Sequence, residues 1–151
     1  MKTATRGNAA EAQILAAFVV RGFDVLTPFG GGQPFDLVVH LGGSHFLRVQ
    51  CKTAWLIARG CLAFHSRSTD HGRGRQPYLG LAELFAVYLA AHDSVFLVPV
   101  GMVPGHLGRL RLEPTKNNQR RGVRFAAEFE IDRWDRERLE ALLPATHAPA
   151  A

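Results

Sequence analysis

Asp36, Gln50 and Lys52 are an acid, an amide and an amine, at spacings that two adjacent strands can bring onto one face. A carboxylate oxygen and an amide carbonyl are hard ligands of the kind Mg²⁺ takes, and that ion normally keeps several of its waters. An ammonium group beside them can orient a water or stabilise charge gathering on a phosphate. Glu11 offers a further oxygen. It shares a helix face with Leu15 and Phe18, and an acid on the apolar stripe of a packed helix is unusual. Taken singly, each residue has an ordinary explanation. Glu11 completes a capping box with Asn8, Asp36 follows Pro34 at a strand end, and Gln50 and Lys52 are polar residues on an exposed sheet face. Their joint arrangement argues for a site.

The elements around them follow from the pattern of apolar and turn residues. A helix is expected over 8–21, with Asn8 as its N-cap, Ile14, Leu15, Phe18 and Val19 as its apolar face and Gly22 as its stop. Phe23 to Thr27 reads as a short strand and 28–34 as a Gly-rich loop. Strands over 35–41 and 45–53 flank Gly42-Gly43-Ser44. A three-residue turn there pairs Leu41 with His45 and sets Asp36 opposite Gln50. Directly opposed residues share a face and side chains alternate along a strand, so Lys52 joins Gln50 and Asp36. Phe35, Leu37, Val39, Leu47, Val49 and Cys51 form the other, core face, where the Cys51 thiol is inert. His40 shares the Asp36 face as a surface histidine.

Further along, the pattern predicts a strand over 61–66, a mobile polar loop over 67–77 and a hairpin of 84–89 with 95–100. A helix over 80–91 competes with the first arm of that hairpin. A short strand over 110–113, a basic loop over 114–122 and a helix over 133–143 complete the chain. Asp132 caps that helix and Pro144 follows it. One domain is expected over 1–144, with 145–151 a disordered tail. Trp55 and Trp134 are expected to pack, and His65 and His71 lack metal-ligand spacing.

Composition excludes several classes. Apolar residues are 47% and charged residues 21%, ordinary globular usage rather than disorder. No apolar run approaches the ~20 residues of a membrane span, and no charged segment leads into an apolar one as in a secretory leader. Two cysteines without a CxxC support neither a disulfide framework nor a structural zinc site. A soluble, cytoplasmic protein with no membrane partner is expected. The formal charge is +5, but residues 128–140 hold six acids and three arginines, which leaves +8 on the remainder. The basic residues cluster at Arg59, Arg67, Arg73 and Arg75 and again at Arg109, Arg111, Lys116, Arg120, Arg121 and Arg124. Such clusters neutralise phosphates and release counterions. Arg73, Arg75, Arg111, Lys116, Asn117, Asn118, Arg120 and Arg121 are the candidate DNA contacts, with Arg73 and Arg75 ordering on the DNA.

The order Glu11, Pro34-Phe35-Asp36, Gln50-Cys51-Lys52 resembles the PD-(D/E)xK nuclease superfamily, and more narrowly its group I intron-associated endonucleases. The stretches Gly7 to Ala12, Phe35 to Val39, Leu47 to Thr53, Phe85 to Tyr88, Val95 to Val100 and Arg111 to Gln119 carry the likeness, which covers roughly residues 5 to 131. It implies an α/β (α+β) fold with a restriction-endonuclease-like core, a central mixed β-sheet flanked by helices. It also implies Mg²⁺-dependent phosphodiester cleavage in double-stranded DNA, with Mn²⁺ as a substitute ion. By the resemblance, Asp36, Gln50, Lys52 and Glu11 are catalytic, and Asp36, Gln50, Glu11 and the main-chain carbonyl of Cys51 hold the metal. Gln50 stands where the superfamily usually has a second acid, although the intron-associated group also has glutamine. Glu83 stands where an aspartate is expected after Tyr78-x-Gly80. Cutting both strands with one site per small chain requires a homodimer or homotetramer. The alternatives are a Holliday-junction-resolving nuclease, a catalytically silent DNA-binding module on the same fold, and, more weakly, a protein-binding scaffold.

Overall fold

The computed structural model of the chain describes residues 1–68, 74 and 76–145. Helix α1 runs over Thr3–Val20 and buries Ala10, Ile14 and Phe18, one stripe at four-residue steps. It starts five residues earlier than the sequence pattern predicts. Lys2 is the N-cap and makes no side-chain cap bond, so Asn8 lies inside the helix and the expected capping box does not exist. Val19, expected on the apolar face, is half exposed. The stop is as expected: Gly22 takes φ +83, a left-handed conformation cheap only for glycine.

Strands β1 (Asp24–Leu26), β2 (Leu37–Gly42) and β3 (His45–Thr53) form an antiparallel run. Leu37 pairs with Val49 and His40 with Phe46, the register predicted from the sequence. At the turn the prediction fails by one residue. Gly42, not Leu41, pairs with His45, and a bulge separates Gly42 from His40. Gly42 and Gly43 both have positive φ, which lets the chain reverse in less space. The bulge lies beyond the paired residues, so the face on which Asp36 and Gln50 meet is preserved. Leu37, Val39, Leu47 and Val49 are fully buried on the other face, and Phe35 and Cys51 are partly buried against the same cluster.

Strands β4 (Trp55–Ile57) and β5 (Cys61–His65) follow, then β6 (Leu84–Leu89), β7 (Ser94–Pro99) and β8 (Leu107–Arg111). The strand reading of 84–89 wins over the helix because Leu84, Phe85, Ala86 and Val87 are all fully buried, as in a central strand covered on both faces. The five-stranded sheet has the order β1-β2-β3-β6-β7 and is mixed, since β3 pairs with β6 in parallel and its other pairs are antiparallel. A second sheet has the order β4-β5-β8. β4 is absent from the sequence expectation, and β8 begins three residues before the strand expected there. Helix α1 packs on β3 and β6.

The last helix, α2, spans only Arg136–Glu140, capped by Asp135, whose carboxylate accepts the Arg138 N–H at 2.8 Å. The predicted cap, Asp132, lies in a 3-10 turn over Ile131–Arg133 and pairs with Arg21 at 2.7 Å. Trp134, extended at φ −112 and ψ 109, is buried and interrupts the longer helix. Trp55, expected to pack, is 38% exposed. Of the tail expected over 145–151, residues 146–151 lie outside the described residues. No helix among those residues is long and apolar enough to cross a membrane.

Glu83 has a structural role that the sequence does not reveal. Its carboxylate accepts the Arg48 backbone N–H at 2.8 Å and Arg48 Nε at 3.0 Å, and it is in contact with a second guanidinium nitrogen. It thereby ties the start of β6 to β3. Its side chain is almost buried, whereas that of Arg48 is a third exposed, which discounts the ion pair. Glu83→Gln is expected to cost about 1–2 kcal/mol of unfolding free energy, read as a lower urea midpoint at unchanged slope. An unchanged midpoint would show that the pair contributes nothing.

Candidate active site

Asp36 lies immediately before β2, and its N–H donates to the Val49 carbonyl at 2.9 Å. That bond, to the residue already opposite Leu37, holds Asp36 against β3, where its carboxylate meets Gln50. Oδ2 accepts from Gln50 Nε2 at 2.6 Å and from the Cys51 N–H at 2.8 Å. Two donors on one oxygen fix the carboxylate. Partial burial nonetheless raises its pKa above the ordinary range, outweighing the Cys51 N–H and the nearby Lys52 charge.

Lys52 follows on the same face. Its Nζ donates to the Tyr78 hydroxyl at 3.2 Å and to the Arg67 carbonyl at 3.4 Å, and lies 4.5 Å from the centre of the Tyr78 ring. Burial brings its pKa down to about 8, against the pull of Asp36. Burial likewise pushes Tyr78 up to about 12, with a contribution from Asp36. The ammonium is therefore held in a half-apolar cradle beside a carboxylate, where its charge is weakly screened.

Glu11 is not a capping residue. Its carboxyl is raised first by burial and then by the charge of Asp36. The α1–β3 contact thus brings Glu11 within electrostatic reach of Asp36. Cys51 is pushed well above the usual thiol range by burial and by both acids, so its sulfur is not a nucleophile.

The donor set fits a hard cation. Gln50 Nε2 lies 2.6 Å from Asp36 Oδ2 and 3.3 Å from the Cys51 carbonyl oxygen, so the amide sits among these oxygens and would offer its own oxygen to a cation with the amide turned over. Asp36, Glu11, Gln50 and Cys51 offer only oxygens for that purpose, the chemistry of Mg²⁺ or Mn²⁺ rather than of zinc. Among the described residues no three His, Cys, Asp or Glu side chains converge, so the amide and the main-chain carbonyl would be needed.

Other predicted residues lie elsewhere. His40 Nε2 bonds to the Gly43 carbonyl at 2.9 Å and the ring stacks on Phe46, which assigns it to the hairpin. Arg111 sits at the end of β8, its guanidinium donating to the carbonyls of Glu113 at 2.7 Å and Pro114 at 3.1 Å. Lys116, Asn117, Asn118, Arg120 and Arg121 are exposed on the loop beyond β8. That loop is organised by its own bonds, such as the Gln119 N–H to Asn117 Oδ1 at 3.2 Å. Arg73 and Arg75 fall outside the described residues. The sequence reading missed Tyr78 and Arg67 as the partners that hold Lys52. The aromatic residue five places before the Glu83–β6 junction was visible, but nothing in its spacing announces a contact 26 residues away.

A family model described as "PD-(D/E)XK endonuclease" matches residues 1–132. No curated protein matches the chain. Among solved structures, the bacterial homing endonuclease I-Ssp6803I is similar, with a TM-score of 0.71 and 22% identity, covering 86% of this chain and 89% of that one. At that identity the likeness speaks for the fold, and it agrees with the restriction-endonuclease-like core expected from the sequence.

Proposed function

Since the chain belongs to the PD-(D/E)XK endonuclease family, whose nucleases generally use divalent metal ions, we propose that it is a Mg²⁺-dependent endonuclease hydrolysing phosphodiester bonds in double-stranded DNA. The observation that carries this reading is the convergence of Asp36, Gln50 and Lys52 on one strand face, with Glu11 close enough for the Asp36 charge to raise its carboxyl. Asp36, Glu11, the Gln50 side-chain oxygen and the Cys51 carbonyl would hold the ion, with Mn²⁺ as a substitute. Bound there, a divalent cation supplies charge that polarises a phosphate oxygen and makes water a better nucleophile.

The chain's own residues do the rest. Asp36 is kept in one rotamer by Gln50 and the Cys51 N–H, so it presents its remaining oxygen without searching. Lys52, braced by Tyr78 and the Arg67 carbonyl, directs a proton donor and a positive charge at the phosphoryl group as negative charge accumulates on it. The partly buried setting strengthens both effects. We read the enzyme as homing-type, after the function named for the solved structure it resembles, and as acting in the cytoplasm. A homodimer or homotetramer would supply two sites for two strands.

One observation favours a second reading, a silent DNA-binding module: Gln50 replaces an acid, and its amide nitrogen is turned toward Asp36. Plasmid DNA incubated with the purified protein separates the two. Nicking is expected with Mg²⁺ or Mn²⁺ and is expected to vanish in EDTA. Salt-sensitive DNA binding without nicking of any plasmid bearing the gene's own genomic surroundings would favour the silent module.

A further inference from the structure

We propose that the solvent face of the β4-β5-β8 sheet is the surface on which the DNA duplex lies, gripped at a phosphate site formed by Arg109, Arg111 and Arg124. The proposal rests on the nuclease reading and gives its substrate a place on the molecule.

The register sets the face. Trp55, Ala63 and Arg109 are directly opposed across the three strands, and Ile57, Cys61 and Arg111 form the next row. Opposed residues share a face. The alternate residues Leu62, Phe64 and Leu110 are fully buried, and in the Trp55 row Ala63 is buried between an exposed Arg109 and a Trp55 that is 38% exposed, so those two side chains carry the row's exposure.

Along the outer edge of β8, where Arg111 pairs with Phe125, Arg109, Arg111 and Arg124 line one shallow cleft of about 350 Å³ with Cys61 and Leu110, and no carboxylate lines it. The segment carrying Arg124 is held beside β8 by the Arg111 N–H, which donates to the Arg124 carbonyl at 2.8 Å. Carbonyls already fix the Arg111 guanidinium. Among the described residues, neither Arg109 nor Arg124 enters an ion pair. Three like charges around one concavity repel unless an anion sits between them, and guanidinium matches phosphate better than any other cationic side chain does. Two arginines two residues apart on a strand stand about 7 Å apart, an array suited to a polyanion rather than to one small anion.

The face also runs into the candidate active site. Trp55 is three residues beyond Lys52, so their Cα atoms are within about 11 Å. His65, whose ring lies 4.8 Å from that of Trp55, precedes by two residues the Arg67 whose carbonyl takes Lys52 Nζ. A partner spanning from the arginine cleft to the Trp55–His65 pair thus ends within about 11 Å of Lys52.

The test is binding of a random-sequence DNA duplex across a salt series in EDTA, where cutting is suppressed. Each phosphate contact contributes about −0.9 to the log–log salt slope. The double variant Arg109→Gln/Arg124→Gln is expected to flatten that slope by about two units, while Arg109→Lys/Arg124→Lys retains it. Trp55→Ala is expected to weaken binding at unchanged slope. An unchanged slope in the glutamine variant, with its melting curve like wild type, overturns the proposal even if the wild type cuts DNA. So does preferential displacement of the duplex by a single strand of equal length or by an acidic peptide. A flattened slope alongside a wild type that never cuts supports the surface and sinks the nuclease reading instead.

Discussion

Asp36→Asn is expected to reduce DNA cleavage by about a thousandfold or more, with the folded structure intact. Losing several kcal/mol of charge stabilisation in the transition state corresponds to that factor at about 1.4 kcal/mol per tenfold. Asparagine has nearly the same shape, and its carbonyl oxygen can still accept the Cys51 N–H that Asp36 accepts at 2.8 Å. The variant therefore removes charge without removing the local bond. Its metal-free stability makes a second readout. Burial holds the Asp36 carboxyl above its ordinary range, which means that the ionised form opposes folding at neutral pH. Removing that charge is expected to leave the melting temperature unchanged or higher, the pattern of a residue kept for chemistry at the expense of stability. Near-normal cleavage would remove Asp36 from the site. A melting temperature lowered by many degrees would show that the residue acts on the fold.

The site was legible in the sequence to the extent that it is local. Asp36, Gln50 and Lys52 are tied by strand alternation and a short turn, and a pairing rule fixes which side chains meet. The turn itself was misjudged by one residue, yet the bulge at Gly42 lies outside the paired run, so the error did not propagate. Glu11 is legible as an acid on an apolar stripe, but the capping box around Asn8 fails because α1 reaches back to Thr3 through Thr5 and Gly7, residue types of low helix propensity that give no sign of a helix. The longer-range features left no pattern to read. Tyr78 reaches Lys52 across a loop, Glu83 reaches Arg48 across a parallel strand pair, and β4 is a three-residue edge strand too short for alternation to register. The final helix was overdrawn because two aspartates, Asp132 and Asp135, are equally good caps by residue type. Burial of Trp134 chose between them.

Gly108→Ala is expected to destabilise the protein by about 3 kcal/mol, at the upper end of ordinary overpacking costs. Gly108 is directly opposite Phe64 in the β5–β8 pair and is buried. A Cβ at this position would stand 2.7 Å from Phe64 Cε2 and closer still to Cε1 and Cζ, where real Cβ atoms are essentially never found. The Phe64 ring cannot simply step aside. It is fully buried and meets Phe85 edge-on at 5.6 Å, and Phe85 meets Tyr78 edge-on at 5.6 Å. Tyr78 in turn carries its hydroxyl against Lys52. A methyl group in the second sheet therefore presses on a row of rings that ends at the Lys52 face of the first. For a domain of this size the loss should lower the melting temperature by about 6–12 °C. Phe64→Leu in the same chain opens the space that the methyl group needs, so the double variant should be less destabilised than the sum of the two single changes by about 1–2 kcal/mol. Urea midpoints of the four proteins check this. Additive costs would mean that the Phe64 ring is not what the methyl group meets. A cost below about 0.5 kcal/mol for Gly108→Ala, no more than an ordinary surface substitution, would mean that the ring row yields freely and does not brace Lys52.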